Sequence, residues 1–442
     1  MGIVALIAAG VGVLVWMGAA AVTTRARQAH GGPVEITYWA RHTGHEYEAD
    51  LERVEEYNRS QNKVRVRPLP VGPNLEKLVT GIVTGTPPDV MTLGSDTMIE
   101  LGWQGAFMPL EKMMAQRGIR EQDYFPSCWR AGVINGRLYA LAETADSYLL
   151  LYNKDAFREV GLDPERPPRT LAELDEYADR LTKYAPNGEL ERMGFVPWIM
   201  WDHSFMYGWL FGGEWYGTQA RRVTPTDPAI VRSFEWQRTY ARRYDINKIM
   251  SFQQGFGSYF SAMSPFYTGK VAMIVEGEWQ VTFTKKYAPK LDWAATPMPP
   301  PPGGRLASSG GLVLFAIPVG SRHPEQAADF IAWYHTARRS GRTPLSDFNY
   351  AIHNIPTRRD AAAQERFMGD PRFRPFIEMF LRDEVHNEPS MPAVMLYTDE
   401  VDAAREQVIR FQKEPLQALR DVQAKVQREI NRAFAYLRLP ER

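Results

Sequence analysis

The chain has 442 residues, about three times a typical domain of ~150 residues, so two or three domains are expected. Its 52 Lys and Arg balance 52 Asp and Glu, which argues against a nucleic-acid or anionic-surface binder. A single cysteine, Cys128, excludes an intramolecular disulfide and any all-cysteine metal site. The one surplus is aromatic, with 12 Trp, 20 Tyr and 21 Phe.

Residues Ile3 to Val22 form an apolar run long enough to span a bilayer. It ends in the small residues Gly18 to Ala21, as a signal-peptidase site needs. No Lys or Arg precedes it, whereas Arg25 and Arg27 follow it. Residues 1–24 are therefore expected to be a signal peptide or, left uncleaved, an N-terminal membrane anchor. No cysteine stands directly after the run, so no lipid anchor is expected.

From Pro33 onward strands and helices alternate. Val34–Ala40 reads as a strand, and the spacing of Tyr47, Leu51, Val54 and Tyr57 predicts a helix after it. Lys63–Val71 alternates as a strand whose Pro68 and Pro70 mark an edge or an end. Asp89–Leu93 reads as a further strand. Thr170 and Glu173 form a capping box before a helix, and Pro324 and Pro415 stand at the first turn of two more. Pro297–Gly304 reads as a surface loop or a connection between lobes. This alternation predicts α/β sheets covered by helices.

The aromatic surplus is concentrated. Nine aromatics fall between Phe195 and Tyr216, with Asp202, His203 and Glu214 interleaved. One reading is a core helix. The other is a sugar platform, in which flat rings take the apolar face of a pyranose and carboxylates take its hydroxyls. His42, His45 and Glu46 lie close together but do not form a metal motif, so neither a metal nor a cofactor is expected. No nucleophile elbow or phosphate loop is present, and no spacing identifies a pair of catalytic carboxylates. No enzyme activity is expected.

A series of motifs in order resembles the family 1 extracellular solute-binding proteins of ABC importers, the group with the maltose-type binding proteins. VEITYW resembles the family's first strand and ends near Trp39. GTPPDVMTLGSD places Pro88 and Asp89 before a strand and Ser95 and Asp96 after it, and Gly105 and Leu110 fit the segment that follows. NGRLYALAETADSYLLLYNKDAF is similar to the hinge signature through Tyr139, Asp146, Tyr152, Asn153, Lys154 and Phe157, with Ala142 where Pro is usual. VGLDPERPPRTLAEL resembles the next segment, with Leu171 where Trp is common, and Gly212 and Gly213 match a glycine pair. FYTGKVAMIVEGEW carries Gly269, Lys270, Ala272, Met273, Gly277 and Trp279. SSGGLVLFAI, with Gly310 and Gly311, looks like the second crossover, and IPTRRD brings Pro356, Thr357 and Arg358.

The resemblance implies a two-lobe periplasmic-binding-protein fold (type II), hinged, with a ligand cleft. Lobe one is expected over 34–145 plus 313–355, and lobe two over 146–312 plus 356–442. The implied function is an exported, periplasmic, monomeric receptor. It would capture a saccharide, polyol or glycerol phosphate by cleft closure and deliver it to membrane permease subunits served by a separate ATPase. The candidate ligand-binding residues are Trp39, Arg41, Asp96, Asp146, Trp198, Trp201, Asp202, Trp215, Trp279, Gly311, Arg358 and Tyr397, with Glu214 as a further acceptor. A membrane-anchored sensor with the same ectodomain and a glycoside hydrolase are the competing readings.

Overall fold

The computed structural model describes residues 32–72, 75–201 and 203–437, the side chain of Leu75 apart. The leader expected over 1–24 and the candidate residue Asp202 lie outside the described residues. Among those described, no helix is long and apolar enough to cross a membrane.

The strands that matter for the site are β1 (Val34–Ala40), β2 (Val64–Pro70), β3 (Val90–Gly94), β4 (Ala140–Ala145), β5 (Tyr148–Asn153), β6 (Met273–Gly277), β7 (Trp293–Thr296), β8 (Leu312–Ala316) and β9 (Ile355–Pro356). They form a larger sheet, ordered β9-β4-β8-β3-β1-β2, and a smaller one, ordered β6-β5-β7. β1 alternates, burying Ile36, Tyr38 and Ala40, because helices cover only one of its faces fully. β3 and β8 are buried throughout, as central strands between two layers must be. β2 is the edge strand. Its prolines cost no ladder bonds there, and β1 runs parallel to it in the register Val34 to Val64.

The helices begin where the sequence places their caps. Thr170 accepts a hydrogen bond from the Glu173 backbone N–H and opens the helix Leu171–Leu181. The Glu173 carboxylate does not complete the reciprocal box; it accepts from the Arg169 N–H instead. Pro324 and Pro415 start the helices Pro324–Thr336 and Pro415–Tyr436. Asp89 has a structural task. Its carboxylate accepts from Thr37 N–H (2.8 Å) and from the Arg322 and His323 N–H groups (3.1 Å each). It thereby ties β1 to the segment that opens the Pro324 helix.

The chain passes between the sheets at Asp146 and Ser147, where β4 gives way to β5. It returns near Ser308, which pairs in parallel with Val385 beside the second crossing. Pro356 pairs with Thr144, Thr357 donates to Ala142 O and Arg359 to Tyr124 O. These contacts keep residues 356–359 on the larger sheet, although the sequence expectation begins lobe two at 356.

The aromatic segment is mostly core. The short helix Ser204–Leu210 buries Met206, Tyr207, Trp209 and Leu210. Trp215 is 1% exposed and its indole N–H donates to Phe205 O (2.9 Å).

Candidate functional site

Loops at the carboxyl ends of strands from both sheets enclose a cavity of about 430 Å³. This is where open α/β sheets place ligands. The end of β1 supplies Arg41, His42 and Glu46. The end of β3 supplies Ser95 and Asp96, and the end of β6 supplies Trp279. Asp146 and Gly311 come from the two crossings, and Tyr148, Trp201, Tyr259 and Phe283 line the side of the smaller sheet.

These aromatics form one connected wall. The Trp279 ring lies 5.6 Å from Tyr148, 5.7 Å from Tyr259 and 6.0 Å from Trp201, and Tyr259 lies 5.6 Å from Phe283. All are only partly buried, so ring surface faces the cavity. Gly277 makes this possible: a Cβ there would meet the Trp279 ring at 2.3 Å. The Trp279 N–H donates to Glu276 Oε2 (3.2 Å), which fixes the ring's tilt. On the opposite side Gly94 plays the same part. A Cβ there would meet Asp96 Oδ1 at 2.8 Å and Arg41 Nε at 3.6 Å, so the two side chains converge over bare backbone.

The cavity is acidic. Glu46, Asp96, Asp146, Glu388 and Asp399 line it, against Arg41 and His42. His42 is 3% exposed and its ring nitrogens lie 3.2 Å from Glu46 and 3.0 Å from Glu143. Burial opposes its charge, yet the Glu143 carboxylate and the hydrogen bonds to Glu143 and Glu46 raise its pKa to about 10. Burial raises Glu388 to about 7, and the nearby charge of Asp96 adds to the effect. Asp146 and Glu278 face each other in the hinge, and burial raises both. Asp146 accepts a hydrogen bond from Asn354 Nδ2, and a Cβ on Gly311 would strike its Oδ2 at 2.8 Å. Among the described residues no cluster of three or more His, Cys, Asp or Glu is arranged to hold a metal ion.

Six residues singled out from the sequence meet in this cavity: Arg41, Asp96, Asp146, Trp201, Trp279 and Gly311. The others stand elsewhere. Trp39 lines a small neighbouring cavity of about 90 Å³, with Lys77 over its ring and its edge against Gly81. Trp198 is 8% exposed in the core. Arg358 lies over the Tyr124 ring and pairs with Asp360 (3.1 Å) and Asp123 (3.6 Å), so its charge is spent inside the larger-sheet lobe. Tyr397 is fully buried and donates to Trp215 O (2.9 Å). Trp215 and Glu214 border a different cavity of about 720 Å³.

Met395, Thr398 and Asp399 reach the cavity and were missed. They lie at i, i+3 and i+4 on the helix Val394–Ile409, so helical spacing would have found them as a face. Tyr397 points the other way. Glu388, Tyr148, Tyr259 and Phe283 carried no such signal.

The family of bacterial extracellular solute-binding proteins matches residues 43–338. The chain belongs to this family. Among solved structures, the mannobiose-bound CpMnBP1 is 30% identical to this solute-binding protein, with a TM-score of 0.76, covering 89% of this chain and 99% of that one. The mannotriose-bound form is 29% identical with a TM-score of 0.78, covering 89% and 100%. The two-lobe fold is thereby shown. Among curated proteins, the sn-glycerol-3-phosphate-binding periplasmic protein UgpB of Brucella abortus is 26% identical over 258 residues, 55% of this chain. The chain spans 57% of that relative's length.

Proposed function

We propose that this solute-binding protein captures a saccharide in the 430 Å³ cavity and closes its lobes around it. The observation that carries this reading is the wall of five partly exposed rings opposite a set of carboxylates. Rings take the apolar faces of a pyranose, and carboxylates take its hydroxyls. The mannobiose- and mannotriose-bound relatives support a saccharide. The glycerol-phosphate-binding relatives point to a phosphate ligand instead. A phosphate would meet only Arg41 and an already committed His42, against five carboxylates, which disfavours it.

Arg41, Asp96, Asp146, Trp201, Trp279 and Gly311 are the proposed contacts, joined by Tyr148, Tyr259, Glu388 and Asp399. The lobes are proposed as 34–145 with 313–362, and 146–312 with 363–442. The bonds of residues 356–359 to the larger sheet support that last boundary. Ligand held by one lobe offers new contacts to the other, so closure is favoured when ligand is present. The closed monomer would then be read at the outer face of the membrane by permease subunits with a separate ATPase. Residues 1–24 would export the chain or tether it there. The role is binding rather than catalysis.

A thermal-shift screen of mono-, di- and trisaccharides against glycerol 3-phosphate tests the reading. A saccharide should raise the melting temperature and shift tryptophan fluorescence. Stabilisation by glycerol 3-phosphate alone would overturn it.

A further inference from the structure

The charges of the cleft do not balance, and this deepens the saccharide reading on which it rests. His42 is answered twice over, by Glu46 in the cavity and by Glu143 behind it. That leaves Arg41 against Asp96, Asp146, Glu388 and Asp399. Among the described residues no cation forms an ion pair with any of these four carboxylates. Glu388 receives a single side-chain hydrogen bond, from Ser95 Oγ at 3.4 Å. Two more carboxylates, Glu276 and Glu278, stand directly behind the wall at 1% and 0% exposure. Asp96 and Asp399 sit at the exposed mouth, whereas Asp146 and Glu388 lie deeper.

A neutral sugar would supply hydroxyl donors to these groups but no counter-charge. Closing the lobes on it would strip water from Asp96 and Asp399 and deepen the burial that already raises Asp146 and Glu388, which is costly without a compensating cation. The wall facing them is made of rings that themselves attract cations. Tyr148, Trp201, Tyr259 and Trp279 are joined edge to face or tilted, with centroids 5.3–6.0 Å apart. An ammonium group brings a full positive charge and three hydrogen-bond donors, and both halves of the cavity favour it. Tyr148 is common to the two halves, since Asp146, Glu276, Glu278 and Glu388 all act on its hydroxyl.

We propose that the ligand is an amino sugar, with its ammonium set between the carboxylates Asp146, Glu388 and Asp399 and the aromatic wall of Tyr148, Trp201, Tyr259 and Trp279.

The test compares matched pairs that differ only in the charged group. These are glucosamine with glucose, mannosamine with mannose, and the β-1,4-linked glucosamine disaccharide with cellobiose. Affinity of the full chain is measured by calorimetry at low ionic strength and again in about 0.5 M salt, where exposed charges are screened. The amino member should bind at least about tenfold more tightly in one or more pairs, and salt should reduce that advantage several-fold. Glu388→Gln and Asp399→Asn should each shrink the preference while the chain still melts cooperatively. Equal or weaker binding of the amino member in every pair that binds overturns the proposal and leaves saccharide binding standing. A preference untouched by both substitutions and by salt overturns it as well. If no sugar, amino or neutral, binds in these pairs or in the wider saccharide screen, the saccharide reading fails and takes the inference with it.

Discussion

Of two cavities between the lobes, one of about 720 Å³ and one of about 430 Å³ among the described residues, the larger is the poorer candidate for a ligand site. The 720 Å³ cavity is also rich in tryptophan, with Trp103, Trp129, Trp209 and Trp215 on its walls. Most of its rings are engaged, although Trp103 Nε1, His386 Nε2 and Asn387 Oδ1 have no hydrogen-bond partner among the described residues. Trp209 stacks on His386 at 5.1 Å, Trp215 donates to Phe205 O, and Trp103 meets Phe434 edge-on at 5.5 Å. Some of its charges are paired as well, Arg130 with Asp383 (3.2 Å) and Glu214 with Arg305 (2.5 Å), while Arg221 lies over the Phe434 ring and Glu388 borders both cavities. In the 430 Å³ cavity the rings keep open faces, and among the described residues Asp96, Asp146, Glu388 and Asp399 have no cationic partner. Volume records where packing is loose; unspent chemistry records where a ligand is expected.

That contrast is easiest to break at Trp279. Trp279→Ala should weaken saccharide binding by about 1–3 kcal/mol without unfolding the chain, as measured by calorimetry. Trp129→Ala, in the larger cavity, should leave affinity within about twofold, reasoning from the small energetic weight of residues outside a binding hot spot. Equal losses in the two variants would abolish the distinction between the cavities.

Gly277→Ala sharpens the comparison without removing a ring. The added methyl must displace Trp279, so affinity should fall about tenfold, roughly 1.4 kcal/mol, while the ring remains present. Unchanged affinity would mean that the tilt of Trp279 is irrelevant.

Tyr397→Phe separates core from cleft. It leaves the buried Trp215 carbonyl without this donor and should cost about 1 kcal/mol of stability in denaturant unfolding. Affinity should not change. A selective loss of affinity would return Tyr397 to the site.

The smallest expected effect concerns His42. Its pKa is raised in the folded state, so its contribution is complete below the unfolded value near 6.5 and is lost as pH rises through about 10. The melting temperature of the parent protein should fall more steeply between pH 8 and 10 than that of His42→Gln, by a few degrees. Parallel curves would show that His42 is neutral in the fold.

Much of the fold was legible because local physics repeats in the chain. Alternation in Val34–Ala40 and the caps at Thr170, Pro324 and Pro415 depend on neighbours within a few residues, and each element begins where those residues stand. The lining of the candidate cavity was legible mainly where a residue follows a strand end, as Arg41, Asp96, Asp146 and Trp279 do. Tryptophan density misled in part. Between Phe195 and Tyr216 only Trp201 turns to the smaller cavity, while Trp198, Trp209 and Trp215 fill the core or border the larger one. Nothing local distinguishes these rings, because orientation depends on which sheet packs beneath them. Arg358 misled for a related reason: its partners Asp123 and Tyr124 lie more than 230 residues away in the chain.

By itself the sequence determined the alternation of strands and helices, the family resemblance and the residues that must follow each strand. These are set by periodicity, caps and short motifs, all local in the chain. The tertiary structure decided which side chains have unspent bonds. Trp201 and Trp279 meet Tyr259 and Tyr148 across the smaller sheet, and Glu388 and Asp399 arrive from the C-terminal third opposite Arg41. Burial and pairing depend on contacts between segments hundreds of residues apart, so charge balance over the whole chain is compatible with a cleft that is strongly acidic.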